Sequence, residues 1–484
     1  MTQGTIRVRF APAPTGMMHL GNVRTALMNY LFARQHGGTF VLRIEDTDPK
    51  RNFDPGGRVI IDDLTWLNMT FDEGPGVGGP YEPYLQSERT PHYEQIRETL
   101  EKSNKIYRCF CTQEELEKKR QRQQALRLPP RYDRSCMRLD QSDIDQLLAS
   151  GKPFVWRLKL DHSISISIED LARGTITFEM RNFSDFPITR QDGTFTFMFA
   201  NFVDDLLMKI TYVLRGEDHL TNTAGQAALY HAVGAALPIF WHMPIICNLD
   251  GKKLSKRDFG FSLQDLHKAG YLPEAINNYL ATIGGSFSQE ILTLDELVKA
   301  IRFDQQGTAS QIKYDPDKLN WFNHQWLISL EPIELAQRCR PFLAEKYPRV
   351  EKIDDAALAT LIQPLKSNMT TLVDSVTVLG FYFAHKDPSE SDIRACTSPE
   401  TRAAIAQIVT QNLDRLAEPT AFADHAKQAA REQSVPLKEL FWFLRLALTG
   451  SSHGPAIAEL VGILGPQESR KRIEHALELL GRIN

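Results

Sequence analysis

The chain has 484 residues, 42% of them hydrophobic and 24% charged, with a formal net charge of −4. This is ordinary composition for a soluble globular protein of roughly three or four domains, and it excludes global basicity as a means of holding nucleic acid, so any RNA contact must use local patches. Six cysteines in a chain this long are no disulfide framework, and no signal peptide is read at the N-terminus, so a reduced, cytoplasmic protein is expected.

In the first stretch Ile6, Val8 and Phe10 alternate with Arg7 and Arg9, which predicts a strand. Pro12, Pro14 and Gly16 break it into a turn. Beyond Gly21, the spacing of Val23, Ala26, Leu27, Tyr30 and Leu31 predicts a helix with one apolar face. His19 and Asn22 fall at the strand-to-helix corner, where free backbone N–H groups and the positive end of the helix dipole favour an anion. A neutral imidazole and an amide can donate to phosphate oxygens there, and Gly21 leaves room for a flat or bulky ligand against the backbone. Next, the apolar run Phe40 to Ile44 predicts a buried strand ending in Glu45, Asp46 and Asp48. Acids just past the carboxyl end of a parallel strand stand where open α/β sheets bind ligands. A glycine- and proline-rich loop follows from Gly74 to Ser87.

Cys109, Cys111 and Cys136 offer three thiols, enough for a tetrahedral zinc with one further ligand. The C-x-C spacing alone equally suits two free thiols in a strand and one in a loop. Between Lys118 and Arg138 there are eight basic residues and one acid, Asp133, the best candidate in the chain for contact with RNA phosphates. The alternation Ser163 to Ile168 predicts a strand. A helix is expected over Phe199 to Met208, then a strand over Ile210 to Leu214 ending in Arg215, Gly216, Glu217, Asp218 and His219. Leu220 to Leu249 lacks Asp, Glu, Lys and Arg, but its Thr, Asn, Gln, His and Pro residues predict a buried helix and strand rather than a membrane span. Lys252, Lys253, Lys256 and Arg257 then place four cations within six residues. No Walker loop is present. From about residue 331 onward the pattern is almost wholly helical and nearly neutral.

His19-Leu20-Gly21-Asn22 resembles the first signature of class I aminoacyl-tRNA synthetases, which ends His-x-Gly-His; Asn22 replaces the last His and keeps a donor. Lys253-Leu254-Ser255-Lys256-Arg257 resembles their second signature, Lys-Met-Ser-Lys-Ser, in its glutamyl-branch form. The segments RIEDTD (43–48), GPGVGGPYEPYLQSER (74–89), ANFVDD (200–205), LRGEDHL (214–220) and YLPEA (271–275) are similar to the same branch. Leu440 to Gly465 resembles its bacterial anticodon-binding part, so the resemblance covers the whole chain.

The resemblance implies an α/β fold. A Rossmann-type parallel-sheet catalytic domain (1–108 and 195–260) would carry an inserted α+β acceptor-binding domain (109–194). A stem-contact domain (261–330) and an all-α anticodon-binding half (331–484) would follow. It implies ATP-dependent activation of glutamate and transfer to the 3′ end of tRNA(Glu), with tRNA(Gln) as a further acceptor left open, Mg²⁺ on the ATP, no membrane partner and a monomer.

Implied roles follow residue by residue. His19, Asn22, Lys253 and Lys256 would stabilise the reacting phosphate; Gly21, Asp218, Leu254, Ser255, Lys256 and Arg257 would hold ATP. Arg9 and Arg215 would take the glutamate carboxylates, Glu45 its ammonium, and Asn201 an amide contact. Ala13 and Phe197 stand where the branch mostly has Ser and often has Tyr, which predicts a reshaped glutamate pocket. Some members bind zinc through C-x-C, a Tyr and a later Cys, the spacing of Cys109, Cys111, Tyr132 and Cys136; others hold no metal, and both readings stay open. The rivals are a non-discriminating enzyme and a catalytically inactive RNA-binding relative.

Overall fold

A computed structural model describes residues 5–48, 52–252, 254, 262–303 and 311–483. Lys253, Ser255, Lys256 and Arg257 of the basic motif lie outside the described residues. The chain divides into two compact units, Met1–Leu266 with Ile276–Pro316, and His267–Ala275 with Asp317–Asn484.

In the first unit, strand β1 (Arg7–Phe10) leads through helix α1 (Leu20–Gln35) to the parallel strand β2 (Thr39–Leu42), with Arg7 opposite Thr39 and Phe10 opposite Leu42. Helices α2 (Arg58–Trp66) and α3 (Thr90–Lys102) follow. Strand β3 (Ile106–Cys109) pairs antiparallel with β4 (Val155–Leu158), and helices α4 (Gln113–Ala125) and α5 (Gln141–Ala149) lie between them in the chain. The hairpin β5 (Ser165–Asp170) and β6 (Gly174–Glu179) precedes α6 (Phe197–Leu207), β7 (Tyr212–Gly216), α7 (Leu220–Val233) and β8 (Ile239–Met243). These four strands form one sheet in the order β6-β5-β8-β7, with β7 and β5 both parallel to β8. Thr211, just before β7, joins this sheet to β1: its N–H donates to the Arg7 carbonyl at 3.0 Å, and its hydroxyl accepts from the Arg7 N–H at 2.8 Å. Strand β9 (Ile245–Cys247) comes next, then α8 (Leu263–Lys268), α9 (Pro273–Thr282) and α10 (Leu294–Ala300), and β10 (Gln311–Lys313) runs parallel to β9.

Two features differ from the sequence reading. Helix α1 is not buried on one face only: Arg24, Met28, Asn29 and Phe32 are buried along with Val23, Ala26, Leu27, Tyr30 and Leu31. It packs on β1, β2 and β7 on one side and on α10 on another, so almost its whole circumference is core. The alternating stretch around Ser165 to Ile168 does not stay in a separate insertion. The two-residue period buries Ile166 and Ile168 in the same core as Phe199, Tyr230 and Phe240, and the hairpin extends the catalytic sheet. The charge-free stretch from Leu220 is helix α7 followed by β8, as expected. No helix among the described residues is long and apolar enough to cross a membrane.

The second unit is helical, with helices Pro332–Lys346, Asp355–Ile362, Pro399–Asn412, Pro419–Glu432, Leu437–Thr449 and Ile457–Arg482 among its elements; the last turns sharply at Gly465, φ 75°. Buried Arg472 donates to the carbonyls of Phe381 and Leu448 at 3.0 and 2.7 Å. Both carbonyls lie near helix C-termini, where a cation satisfies orphaned acceptors and the dipole together.

Candidate active site

The strand-to-helix corner is built by His19. It is the N-cap of α1, and its Nδ1 accepts from the N–H groups of Gly21 and Asn22 at 3.1 and 3.3 Å. Asn22 Oδ1 accepts in turn from the His19 N–H at 3.3 Å, closing a capping box. The N–H groups expected to be free for an anion are therefore satisfied by the imidazole. Because Nδ1 accepts, a neutral ring carries its proton on Nε2. Gly21 serves this arrangement: a Cβ there would stand 2.9 Å from His19 Cε1.

Below the corner lies a cavity of about 360 Å³. Ala11 and Pro12 beyond β1, Glu45 beyond β2, Arg215, Gly216, Asp218 and His219 at the end of β7 and Pro244 beyond β8 converge on it, as strand carboxyl ends do in open α/β sheets. His19, Gly21, Asn22, Arg9, Phe197, Asn201, Asp218 and Leu254 line it as well. Ala13 does not; it is exposed on the turn, and its carbonyl accepts from the Thr15 N–H at 2.8 Å.

A buried ionic network holds the floor. Arg9 Nε donates to both oxygens of Asp205 at 3.1 and 3.3 Å. Arg43, fully buried, donates to Asp205 at 2.7 Å and to Glu45 Oε1 at 3.1 Å. Glu45 Oε1 also accepts from Asn201 at 2.6 Å and from Gln86 at 3.5 Å, so all three bonds fall on one oxygen of a carboxylate that lines the cavity. Burial works against ionised Asp205, but Arg9 and Arg43 outweigh it and hold its pKa down. Burial pushes the Glu45 carboxyl up against the pull of Arg43, so a further cation beside it restores the charged form. Asp204 accepts from Arg89 at 2.5 Å, from Gln86 at 2.7 Å and from Tyr93 at 2.9 Å. Asn201 has both ends of its amide engaged, donating to Glu45 and accepting from Gln226 at 2.7 Å. It positions Glu45, a task different from the direct amide contact expected of it.

Arg215 is the exception in this network. Its Nη2 donates to Thr223 Oγ1 and Gln226 Oε1, each at 2.7 Å, its Nε has no partner, and among the described residues no carboxylate pairs with it. Burial first, then Arg9, lowers its pKa to about 9. Arg24 in the same wall is similar. Its pKa is lowered to about 10 by burial, it donates to the Ile283 carbonyl at 3.4 Å, and its Nε is unpartnered. Two buried cations without acids make this a site for an anion. Arg43, Asp204 and Asp205 were missed as site residues. The signal was a charge set inside an apolar run, FVLRI and FANFVDDLL, which a buried strand or helix tolerates only when paired.

A second cluster joins β3 to the loop before α5. The Sγ atoms of Cys109, Cys111 and Cys136 all lie within 4.8 Å of one another, Cys111 and Cys136 at 3.6 Å. Tyr132 Oη is 3.3 Å from Cys109 Sγ and 3.7 Å from Cys111 Sγ. Sulfur atoms on one tetrahedral zinc, at about 2.3 Å each, are separated by roughly 3.8 Å, so the donor set fits. The other cysteines, Cys247, Cys339 and Cys396, are buried and form no disulfide. The basic run around α4 is largely exposed, with Lys119 tied to Asp133 at 3.0 Å.

Residues 5–321 match the family of class I tRNA synthetases (E and Q), catalytic domain, and residues 334–477 match an anticodon binding domain. Glutamate--tRNA ligase 2 of Syntrophus aciditrophicus (strain SB) is 37% identical over 486 residues, covering 99% of each chain. The glutamate--tRNA ligase of Bacillus licheniformis is 35% identical over 482 residues, covering 98% of this chain and 99% of its own. The crystal structure of a glutamate tRNA ligase from Elizabethkingia meningosepticum in complex with its amino acid superposes with a TM-score of 0.86 at 32% identity, covering 98% of this chain and 99% of that one. Fold, corner and anion cavity thus agree with a match running through most of the chain, and the protein belongs to the class I tRNA synthetases of the glutamate and glutamine group.

Proposed function

We propose that this chain is a glutamate–tRNA ligase, joining glutamate to tRNA at the expense of ATP, which is cleaved to AMP and pyrophosphate. The observation that carries the reading is the charge of the cavity floor. Four guanidiniums, Arg9, Arg43, Arg89 and Arg215, meet three carboxylates, Glu45, Asp204 and Asp205, in one hydrogen-bonded network. Within this network one positive charge is left over, and it lies on Arg215; of the other charged residues lining the cavity, Arg24 adds one positive charge and Asp218 one negative. Glutamate, with two carboxylates and one ammonium, brings the matching single negative charge; glutamine brings none. The names of full-length relatives support the same reading.

In the first step an α-carboxylate oxygen of glutamate attacks the α-phosphorus of ATP, and pyrophosphate leaves. Charge builds on the equatorial oxygens and on the leaving group, where preformed donors stabilise the transition state most. His19 and Asn22 serve one side; Lys253 and Lys256 serve the other by their resemblance to the second signature, with Ser255, Arg257 and Leu254 beside the nucleotide and Mg²⁺ on its phosphates. Glu45 receives the ammonium, and Arg9 and Arg215 the carboxylates. In the second step a terminal ribose hydroxyl of tRNA attacks the acyl carbon and AMP leaves. Cys109, Cys111, Tyr132 and Cys136 would hold a structural zinc that ties β3 to the basic segment, the part we assign to the acceptor stem. Residues 261–330 would contact the stem and 331–484 the anticodon. Six cysteines with no disulfide among them suit a cytoplasmic setting.

The test is charging of purified tRNA(Glu) and tRNA(Gln) with labelled glutamate and ATP. Glutamate attached to tRNA(Glu) with release of AMP is expected, and charging of tRNA(Gln) as well would mark a non-discriminating enzyme. Tight tRNA binding with no AMP released would make the chain an inactive relative and overturn the proposal.

A further inference from the structure

Behind Arg215 lies a buried pair that does not line the cavity. His242 on β8 and Asp170 at the end of β5 have fully buried side chains, with His242 Nδ1 at 2.7 Å from Asp170 Oδ2. Oδ2 also accepts from the His242 N–H at 3.0 Å, while Oδ1 accepts from the N–H groups of Ala172 and Arg173 at 3.0 Å. A carboxylate so surrounded by donors keeps the imidazole proton on Nδ1. The Nε2 of the neutral ring must then accept, and Thr223 Oγ1 stands 2.7 Å from it, closer than the 3.1 Å to the other acceptor in reach, the His219 carbonyl. With its proton given to His242, Thr223 turns its lone pairs to Arg215 Nη2, at 2.7 Å. The same hairpin turn is held to the end of β7 a second time, by Arg173 on Glu217 at 2.5 Å.

We propose that Asp170 and His242 are positioning residues of the amino-acid site: by fixing the Thr223 proton they aim the Arg215 guanidinium at the substrate carboxylate. A buried carboxylate hydrogen-bonded to a neutral His costs stability relative to a well-packed apolar pair, and packing alone does not call for a chain of three directed bonds ending on the one guanidinium of the network that has no acid. The proposal rests on Arg215 being a carboxylate ligand.

The test is steady-state aminoacylation by the full chain with His242→Phe, whose ring can keep the stacking on Phe240, now 5.7 Å between centroids. Loss of the aim raises the glutamate KM about tenfold, about 1.4 kcal/mol, with the ATP KM and kcat within about twofold. Added to Thr223→Val, His242→Phe changes the glutamate KM by less than about twofold, because both act through one hydroxyl. Equal factors in the two backgrounds, or glutamate and ATP KM raised alike, would overturn the proposal. Should His242→Phe not fold, Thr223→Val against the hydroxyl-retaining Thr223→Ser decides: Val must raise the glutamate KM well above Ser, and equal effects refute the relay. Arg215→Met separates the two levels. If it leaves the glutamate KM unchanged, the pocket assignment fails; if it raises that KM while His242→Phe does not, only the relay fails.

Discussion

Replacing Arg215 by Met should make the protein more stable and nearly blind to glutamate. With its pKa lowered well below the ordinary guanidinium value to about 9, chiefly by burial, the charged guanidinium is disfavoured by on the order of 5 kcal/mol. This penalty is fully present below about pH 9 and fades only as pH rises towards the ordinary guanidinium value, so it stands in full at neutral pH. Met removes it and fills much of the same volume, but strips a donor from Thr223 and from Gln226, at about 1.5 kcal/mol each. The net gain is about 2 kcal/mol, or a rise of roughly 5 °C in Tm for a unit of this size. Removing one partner of a buried charge pair costs about 2–5 kcal/mol in binding, so the glutamate KM should rise at least roughly 30-fold. Thermal unfolding with and without saturating glutamate reads both effects: the parent gains stability from glutamate, and the variant starts higher and gains none. A variant less stable than the parent, or one stabilised by glutamate to the same extent, would refute the argument that an unneutralised cation defines the site.

His19→Ala should lower kcat in adenylate formation roughly 100- to 1000-fold and cost about 1 kcal/mol of stability as the cap of α1 is lost; His19→Asn should restore the stability in urea unfolding without restoring kcat. Phe197→Tyr, on the cavity wall, should lower the glutamate KM by the worth of one hydrogen bond, about 0.5–1.5 kcal/mol; Ala13→Ser, off the wall, should leave it alone, and the opposite ranking would contradict the placement of these residues. Burial first, then Arg215 and Arg9, lowers the His219 pKa from 6.5 to about 4. The unfolded chain therefore binds this proton first, and stability falls as pH drops from 6.5 to 4, by on the order of 2 kcal/mol; denaturant titrations of His219→Asn over that range should be flatter than those of the parent. Elemental analysis should find about one zinc per chain, lost in Cys136→Ser, and a metal-free parent would remove the zinc reading.

The parts of the fold that sequence reveals are those set by local pattern. Alternation at Ile6, Val8 and Phe10 and the glycine–proline turn mark β1 and the corner, and the charge-free stretch from Leu220 resolves into a helix and a strand by its polar residues and prolines. Segment membership was harder: the alternation Ser165 to Ile168 says strand, but nothing local says that its apolar side joins Phe240 in the catalytic core. At the site, pattern named residue types better than partners. Arg9, Glu45, Asn201 and Arg215 were legible as residues that reach the cavity, but the Asn201–Glu45 bond was not, because a pairing across more than 150 residues leaves no local trace; the His19 cap is local, within two residues, and its imidazole was read as a ligand donor instead. Arg43, Asp204 and Asp205 left a weaker one, as charges inside apolar runs.

The most direct measurement of the central claim is the ratio of kcat/KM for glutamate over glutamine in charging purified tRNA(Glu). A floor with one surplus positive charge must prefer the anionic side chain, and leaving a buried cation unmatched costs at least about 2 kcal/mol. The account predicts glutamate ahead by roughly 30-fold or more; parity, or a preference for glutamine, would contradict it.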